Sequence, residues 1–220
     1  MVFKRGGNTF AVFALSLHPL NFNGVVMQRV NSFIVDHTRL KPGIYESKVN
    51  GAYTYDIRFV APQDAACRGL FMKPEVAHTL EHFLADFLRT KTDALLAEGG
   101  FSKGNKAESC QANVGMSGET GKEKPFSEKV LYVGPMGCLT GFYLLTTEPF
   151  APEFLRDIIL KGTEHILQAQ EGEIPGASEL TCGNWQYFDL EATKEFIRSV
   201  IIPNFTSKEF YTEYPYLISK

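Results

Sequence analysis

The sequence predicts an α+β fold, an antiparallel β-sheet packed against α-helices. Two observations carry this expectation. Strand-like segments come in pairs joined by turns, and helical segments follow in groups, giving the order β-β-α-insertion-β-β-α-α. The regular β-α alternation that builds a doubly wound parallel sheet is missing.

Residues 28–38 read as a short strand with polar residues interspersed, and Lys41-Pro42-Gly43 as the turn after it. Residues 53–61 carry aromatic and β-branched residues in near alternation and predict a second strand, ended by Pro62. Pro74 suits the first turn of a helix, where no hydrogen-bond donor is needed. From Glu75 to about Leu96, Val76, Leu80, Phe83, Leu84, Phe87, Leu88 and Leu95 recur at helical spacing, and Gly99-Gly100 stop the helix. Residues 99–129 are rich in Gly, Ser and Lys and poor in large apolar residues, so they are expected to be a long exposed insertion. Strands follow at 130–133 and 142–147, then a helix from Pro152 to about Gln170 and a turn at 172–176. Cys182-Gly183 falls in the next loop, and residues 189–201 form a last helix with Asp189 as its N-cap. One catalytic domain is expected over 27–202, with a disordered extension at 1–26 and a tail at 203–220. Lys4, Arg5 and the apolar run 10–17 weakly resemble an export signal, but no A-x-A-like cleavage site follows.

The formal net charge is -3 and there is no basic block, which argues against a nucleic-acid or membrane-surface partner. No apolar run approaches the ~20 residues of a membrane span. The cysteines at 67, 110, 138 and 182 fit neither a CxxC zinc site nor a dense disulfide framework. Reduced thiols and a cytoplasmic location are the expectation.

The chemistry concentrates at His78-Thr-Leu-Glu81-His82. On a helix, positions i, i+3 and i+4 share a face, so two imidazoles can reach one ion with a carboxylate beside them. The H-x-x-E-H spacing is the inverse of a metalloprotease motif. A helix carrying two ordinary histidines is the plain reading, but apolar neighbours at Leu80, Phe83 and Leu84 leave the imidazoles in need of a partner. A third protein ligand is required. His37, His165, Cys138 and Cys182 are the candidates, and a thiolate with two imidazoles suits Zn²⁺ or Fe²⁺. Cys138 sits among Gly134, Pro135, Gly137 and Gly141, where a tight turn lets substrate approach. A catalytic thiol and an inert turn cysteine both fit that setting. A phosphate loop does not, because a strand follows instead of a helix.

These residues carry a resemblance. Ser32-Phe33, Asp36-His37, Tyr55-Asp-Ile-Arg58-Phe, His78-Thr-Leu-Glu-His82, Gly134-Pro-Met-Gly-Cys138 with Thr140-Gly141, and Cys182-Gly183 with Asp189-Leu190 occur in the order and spacing of the S-ribosylhomocysteine lyase (LuxS) family. The resemblance spans roughly 28–202, interrupted by the insertion. It implies a LuxS/inverzincin-like metalloenzyme fold. It also implies cleavage of S-ribosylhomocysteine to homocysteine and 4,5-dihydroxy-2,3-pentanedione, the autoinducer-2 precursor of bacterial quorum sensing. By position, it makes His78, His82 and Cys182 the metal ligands and Glu81 and Cys138 the acid/base groups. Ser32, His37, Arg58 and Arg89 match positions that line the substrate site. The implied cofactor is one Fe²⁺ per subunit, with Zn²⁺ or Co²⁺ as substitutes. The implied assembly is a homodimer with active sites at the interface. Tyr132 and Gly134 depart from the family, which usually has an acidic residue and a serine ahead of Pro-Met-Gly-Cys. The competing readings are an inverzincin metallopeptidase, which would recruit a downstream glutamate as third ligand, and a non-catalytic metal-binding relative.

Overall fold

The computed structural model describes residues 35–49, 51–99 and 124–215. Ser32, the extension at 1–26, most of the expected insertion and residues 28–34 of the first expected strand lie outside these. Within 35–39 the chain turns: the Asp36 carboxylate accepts from the Thr38 backbone N–H and hydroxyl, and Arg39 N–H donates to the Asp36 carbonyl.

The first described strand is instead β1 (Gly43–Val49), antiparallel to β2 (Ala52–Arg58). The two are joined at Asn50-Gly51, a dipeptide suited to a two-residue hairpin, and Gly51 has φ 87°. The remaining strands are β3 (Val130–Pro135) and β4 (Gly141–Thr146), and the antiparallel sheet runs β1-β2-β4-β3. α1 (Pro62–Arg68) begins at the proline expected to end a strand. A proline that stops one element can open the next, because its fixed φ and missing N–H suit a helix start.

The long helix predicted over 75–96 is present in three parts: α2 (Pro74–Asp86), a π-helical turn (Phe87–Lys91) and α3 (Thr92–Ala97). The Thr92 hydroxyl donates to the Phe87 carbonyl at 3.0 Å within this turn. A short α4 (Phe126–Lys129) leads into β3. α5 (Pro152–Gln168) and α6 (Leu190–Phe196) follow, and α6 continues through a second π turn (Ile197–Ile201) into α7 (Ile202–Phe205). Pro203 ought to break this helix, since its ring clashes with the carbonyl four residues back. The wider turn just before it makes room, so the helix outruns its expected end at 201. Residues beyond it are packed: Ile44 N–H donates to the Tyr211 carbonyl and Asp36 N–H to that of Pro215.

Strand alternation divides β2 between two faces. Tyr55 and Ile57 enter the main core with Phe142 and Leu144 of β4, Leu80, Phe83 and Leu84 of α2, and Ile158 and Ile159 of α5. Asp56 and Arg58 point the other way and are nevertheless buried. On that face Tyr45, register partner of Asp56, stacks on Tyr214 with ring centroids 5.0 Å apart. Gly141 lies opposite Arg58 where β4 meets β2, and a Cβ there would overlap the Ile57 carbonyl oxygen. Gly141→Ala is expected to destabilise the fold by roughly 3 kcal/mol, because backbone rather than a pliable side chain must move. A urea midpoint within error of wild type would refute this.

Candidate metal centre and active site

α2 places His78 and His82 one turn apart with their rings nearly perpendicular, at 88° and 4.8 Å between centroids. Each ring uses Nδ1 on a backbone carbonyl of one loop. His78 Nδ1 lies 2.8 Å from the Tyr187 oxygen and His82 Nδ1 lies 2.7 Å from the Pro175 oxygen. A carbonyl only accepts, so both Nδ1 atoms carry a proton, and a ring in its neutral form has its lone pair on Nε2. Orientation of this kind, by a hydrogen bond on the far nitrogen, is how ligating histidines are usually held.

The third donor comes from the same loop. Cys182, 104 positions along the chain from His78, brings Sγ to 3.3 Å from His78 Nε2. Donor atoms of His78, His82 and Cys182 all lie within 4.8 Å of one another. Among the described residues no other group of three or more His, Cys, Asp or Glu side chains has metal-binding geometry. The donor set fits a borderline-soft divalent ion with a coordination position left over. Of the open candidates for third ligand, Cys182 is brought to the pair, while His37, His165 and Cys138 lie elsewhere. His165 stands against Phe83 and Phe87 on α5, and burial there, with the Lys91 charge, holds its pKa below the usual histidine value. The glutamate that a peptidase reading requires is not in the cluster.

The loop is seated on α2 at further points. Asp189 N–H donates to the Thr79 hydroxyl at 3.0 Å, and the Asp189 carboxylate caps α6 through Ala192 N–H. Thr79 is fully buried and satisfied, since its hydroxyl also donates to the Glu75 carbonyl. The Tyr187 hydroxyl donates to the Glu75 carboxylate, whose charge pushes the phenol pKa upward. The Phe188 ring stacks on His78. Glu81 is half-buried on α2 between the two histidines and has no hydrogen bond or ion pair among the described residues.

A second cluster forms where β2 and the β3–β4 turn meet. Arg58, 2% exposed, donates from Nη1 to the Thr140 hydroxyl at 2.6 Å and to Cys138 Sγ at 3.4 Å, and from Nη2 to Asp56 at 3.3 Å. Cys138 Sγ also lies 3.1 Å from the Thr140 hydroxyl. Partial burial tends to raise the thiol pKa, but hydrogen bonds from the Thr140 hydroxyl and backbone N–H, with the Arg58 charge, outweigh it and bring the pKa below the ordinary cysteine value. The residue is exposed, so this thiolate-prone sulfur is reachable from solvent. Burial raises the Asp56 carboxyl pKa against the opposing pull of Arg58, and His37 stands close enough to add its charge. His37 itself directs Nδ1 to the Val35 carbonyl. Arg89 is exposed on the first π turn and donates to the Leu131 carbonyl at 3.0 Å, so among the described residues its hydrogen bond is to β3 and to neither cluster.

Sequence reasoning singled out the ionisable residues but not their supports. Thr140, Asp56, Phe188 and the carbonyls of Pro175 and Tyr187 were invisible as functional groups. Thr140 and Asp56 sat inside motifs already quoted, two positions from Cys138 and Arg58. Tyr132 and Gly134 share one arrangement: the Tyr132 phenol lies where a Cβ at Gly134 would stand.

If the Thr140 hydroxyl holds the thiolate, Thr140→Val raises the Cys138 pKa toward the ~8.5 of a free cysteine. Alkylation of Cys138 is then slower than in wild type at pH 7, and the two rates converge at high pH. Superimposable pH–rate curves would refute the assignment.

The family described as S-Ribosylhomocysteinase (LuxS) matches this chain over residues 30–99 and 117–210. Relatives named S-ribosylhomocysteine lyase include that of Desulfotalea psychrophila, 28% identical over 174 residues, covering 77% of this chain and 86% of the relative. That of Finegoldia magna is 31% identical over 173 residues, covering 76% and 86%. That of Clostridium beijerinckii is 28% identical over 193 residues, covering 83% and 96%.

Proposed function

The chain belongs to the S-ribosylhomocysteinase (LuxS) family, and we propose on that footing that it is a carbon–sulfur lyase. It cleaves S-ribosylhomocysteine to homocysteine and 4,5-dihydroxy-2,3-pentanedione, the autoinducer-2 precursor. The observation that carries this reading is the convergence of the His78, His82 and Cys182 donor atoms, beside Glu81 on the same helix. These three residues would hold one divalent ion per subunit, Fe²⁺ by preference with Zn²⁺ or Co²⁺ as substitutes. Such an ion supplies Lewis-acid polarisation of the sugar's carbonyl and hydroxyl oxygens.

The thioether sulfur is on C5 of the ribose and the open-chain aldehyde is at C1. The sulfur leaves only from a carbon β to a carbonyl, so the carbonyl must first reach C3. Each shift removes a proton from a carbon next to the carbonyl and returns one to the former carbonyl carbon. Removal of the C4 proton then expels homocysteine thiolate from C5, and the resulting enol tautomerises to the diketone. Two acid/base groups suit this sequence. Cys138, its pKa lowered by Thr140 and Arg58, is one. Glu81, a carboxylate without a competing partner among the described residues, is the other. Ser32, His37, Arg58 and Arg89 are assigned to substrate binding. Of these, Arg58 acts at the Cys138 side, where it also stabilises the thiolate.

The test is thiol release from S-ribosylhomocysteine by anaerobically prepared, metal-replete protein, followed with a chromogenic disulfide. Wild type is expected to turn over. Cys138→Ala and Glu81→Gln are each expected to lose roughly 100- to 10,000-fold in rate while keeping stoichiometric metal. Cys182→Ala is expected to lose metal. Absence of thiol release by metal-replete wild type rejects the lyase assignment.

We propose also that the enzyme works in the cytoplasm, its thiols reduced, as a homodimer with active sites at the interface. Exposed Leu180, Trp185 and Tyr187, on the loop that carries Cys182, support an apolar contact there. Among the described residues no helix is long and apolar enough to cross a membrane. Sedimentation equilibrium is expected to give twice the chain mass, and a monomer at assay concentration contradicts the dimer.

A further inference from the structure

The two ligand imidazoles have a common neighbour. Phe188 lies face to face with His78, centroids 4.2 Å apart and planes within 15°. The same ring meets His82 edge-on, at 4.8 Å and 77°. One flat ring can do both because the imidazoles stand at 88° to each other. Phe188 is itself fixed from both sides. Its predecessor Tyr187 accepts from His78 Nδ1 and donates its hydroxyl to Glu75, and its successor Asp189 donates its N–H to Thr79. The ring is therefore anchored through α2, the helix that bears both histidines.

A single hydrogen bond on Nδ1 fixes which nitrogen carries the proton but restrains the plane of the imidazole only loosely, since χ1 and χ2 can shift together within the tolerance of the bond. A second, planar contact is needed to fix the plane of the ring. Aromatic faces provide one, because ring pairs favour defined stacked and edge-to-face geometries. We infer that Phe188 is a positioning residue of the metal centre: its ring sets the planes of His78 and His82 so that both Nε2 atoms converge on the Cys182 sulfur. This rests on the reading of His78, His82 and Cys182 as the ligand set. It predicts that a flat ring at 188, and not merely apolar bulk, governs how tightly and with what geometry an ion is held.

The test compares wild type with Phe188→Leu, Phe188→Tyr and Cys182→Ser. Zn²⁺ affinity is measured by competition with a chromophoric chelator, Co²⁺ geometry by the visible and thiolate charge-transfer bands, and folding by the melting of the metal-free proteins. Phe188→Leu is expected to melt within a few degrees of wild type yet bind Zn²⁺ about tenfold more weakly, with shifted Co²⁺ bands. Phe188→Tyr, which keeps the ring, is expected to keep wild-type affinity and bands. Wild-type affinity and spectrum in Phe188→Leu overturn the inference, as does an equal loss in Phe188→Tyr. Loss of the folding transition in Phe188→Leu also overturns it, because the ring is then a determinant of the fold. If wild type binds no ion, or Cys182→Ser keeps the thiolate band, the ligand set itself fails, and that outcome is distinct from intact binding indifferent to residue 188.

Discussion

Two hydrogen bonds organise this molecule's chemistry: those from His78 and His82 to the carbonyls of Tyr187 and Pro175. They join one helix to the two ends of one loop, and the loop carries Cys182 between them. The same bonds that seat the loop also select the Nδ1–H tautomer of each neutral ring, which leaves Nε2 to act as the donor atom. Neither part has this arrangement alone. Without the loop, the helix carries two solvated histidines of undetermined tautomer; without the helix, the loop loses the bonds that hold Cys182 in place. Burial of Thr79 beneath Asp189, and capping of α6 by the Asp189 side chain, extend the connection into the next helix.

The second cluster is built differently, from sheet geometry. Pleating turns Asp56 and Arg58 away from the main core, and the Tyr45–Tyr214 stack lies on that same face. A buried guanidinium is tolerable only with its charge and donors engaged. Asp56 supplies the charge, Thr140 the shortest contact and Cys138 a third, while Nε remains buried without a partner among the described residues. The thiol's acidity is thus a by-product of how the sheet engages the Nη atoms of its buried arginine. The absence of a side chain at Gly141 lets β4 lie close enough for this, since a methyl group would stand in the Ile57 carbonyl.

Much of this could be read from the sequence where a pattern maps directly onto physics. The helical period from Val76 to Leu95 located the helix, and the spacing of His78, Glu81 and His82 put them on one face. The antiparallel α+β class followed from paired strands. Elements fixed by a single local feature were harder. β1 lacks a clean alternation, so the expected strand at 28–38, most of which lies outside the described residues, took its place, and Asn50-Gly51 is the one local sign of the β1–β2 hairpin. α1 was hidden because Pro62 serves equally well as a stop and as a start. The continuation through Pro203 depends on a π turn that no periodicity reveals. In the site, the ionisable groups were legible and their supports were not. A backbone carbonyl such as that of Pro175 has no side-chain identity to mark it, and a phenylalanine among many gives no sign that its ring will rest on two histidines.

The turn that presents Cys138 has one further property. Leu139, its neighbour, has φ 56°, a left-handed conformation that costs a leucine on the order of 1–2 kcal/mol. Met136 and Met72 fix it by backbone hydrogen bonds at 2.8 and 2.9 Å, and its side chain packs against the main core. Glycine would adopt that backbone freely, and would leave it just as freely. A leucine accepts strain in exchange for an apolar anchor, so the adjoining thiol inherits the immobility of the core while remaining exposed. In the role proposed for Cys138, the entropy of ordering the thiol is lost once, when the chain folds, and not again at each encounter with a substrate.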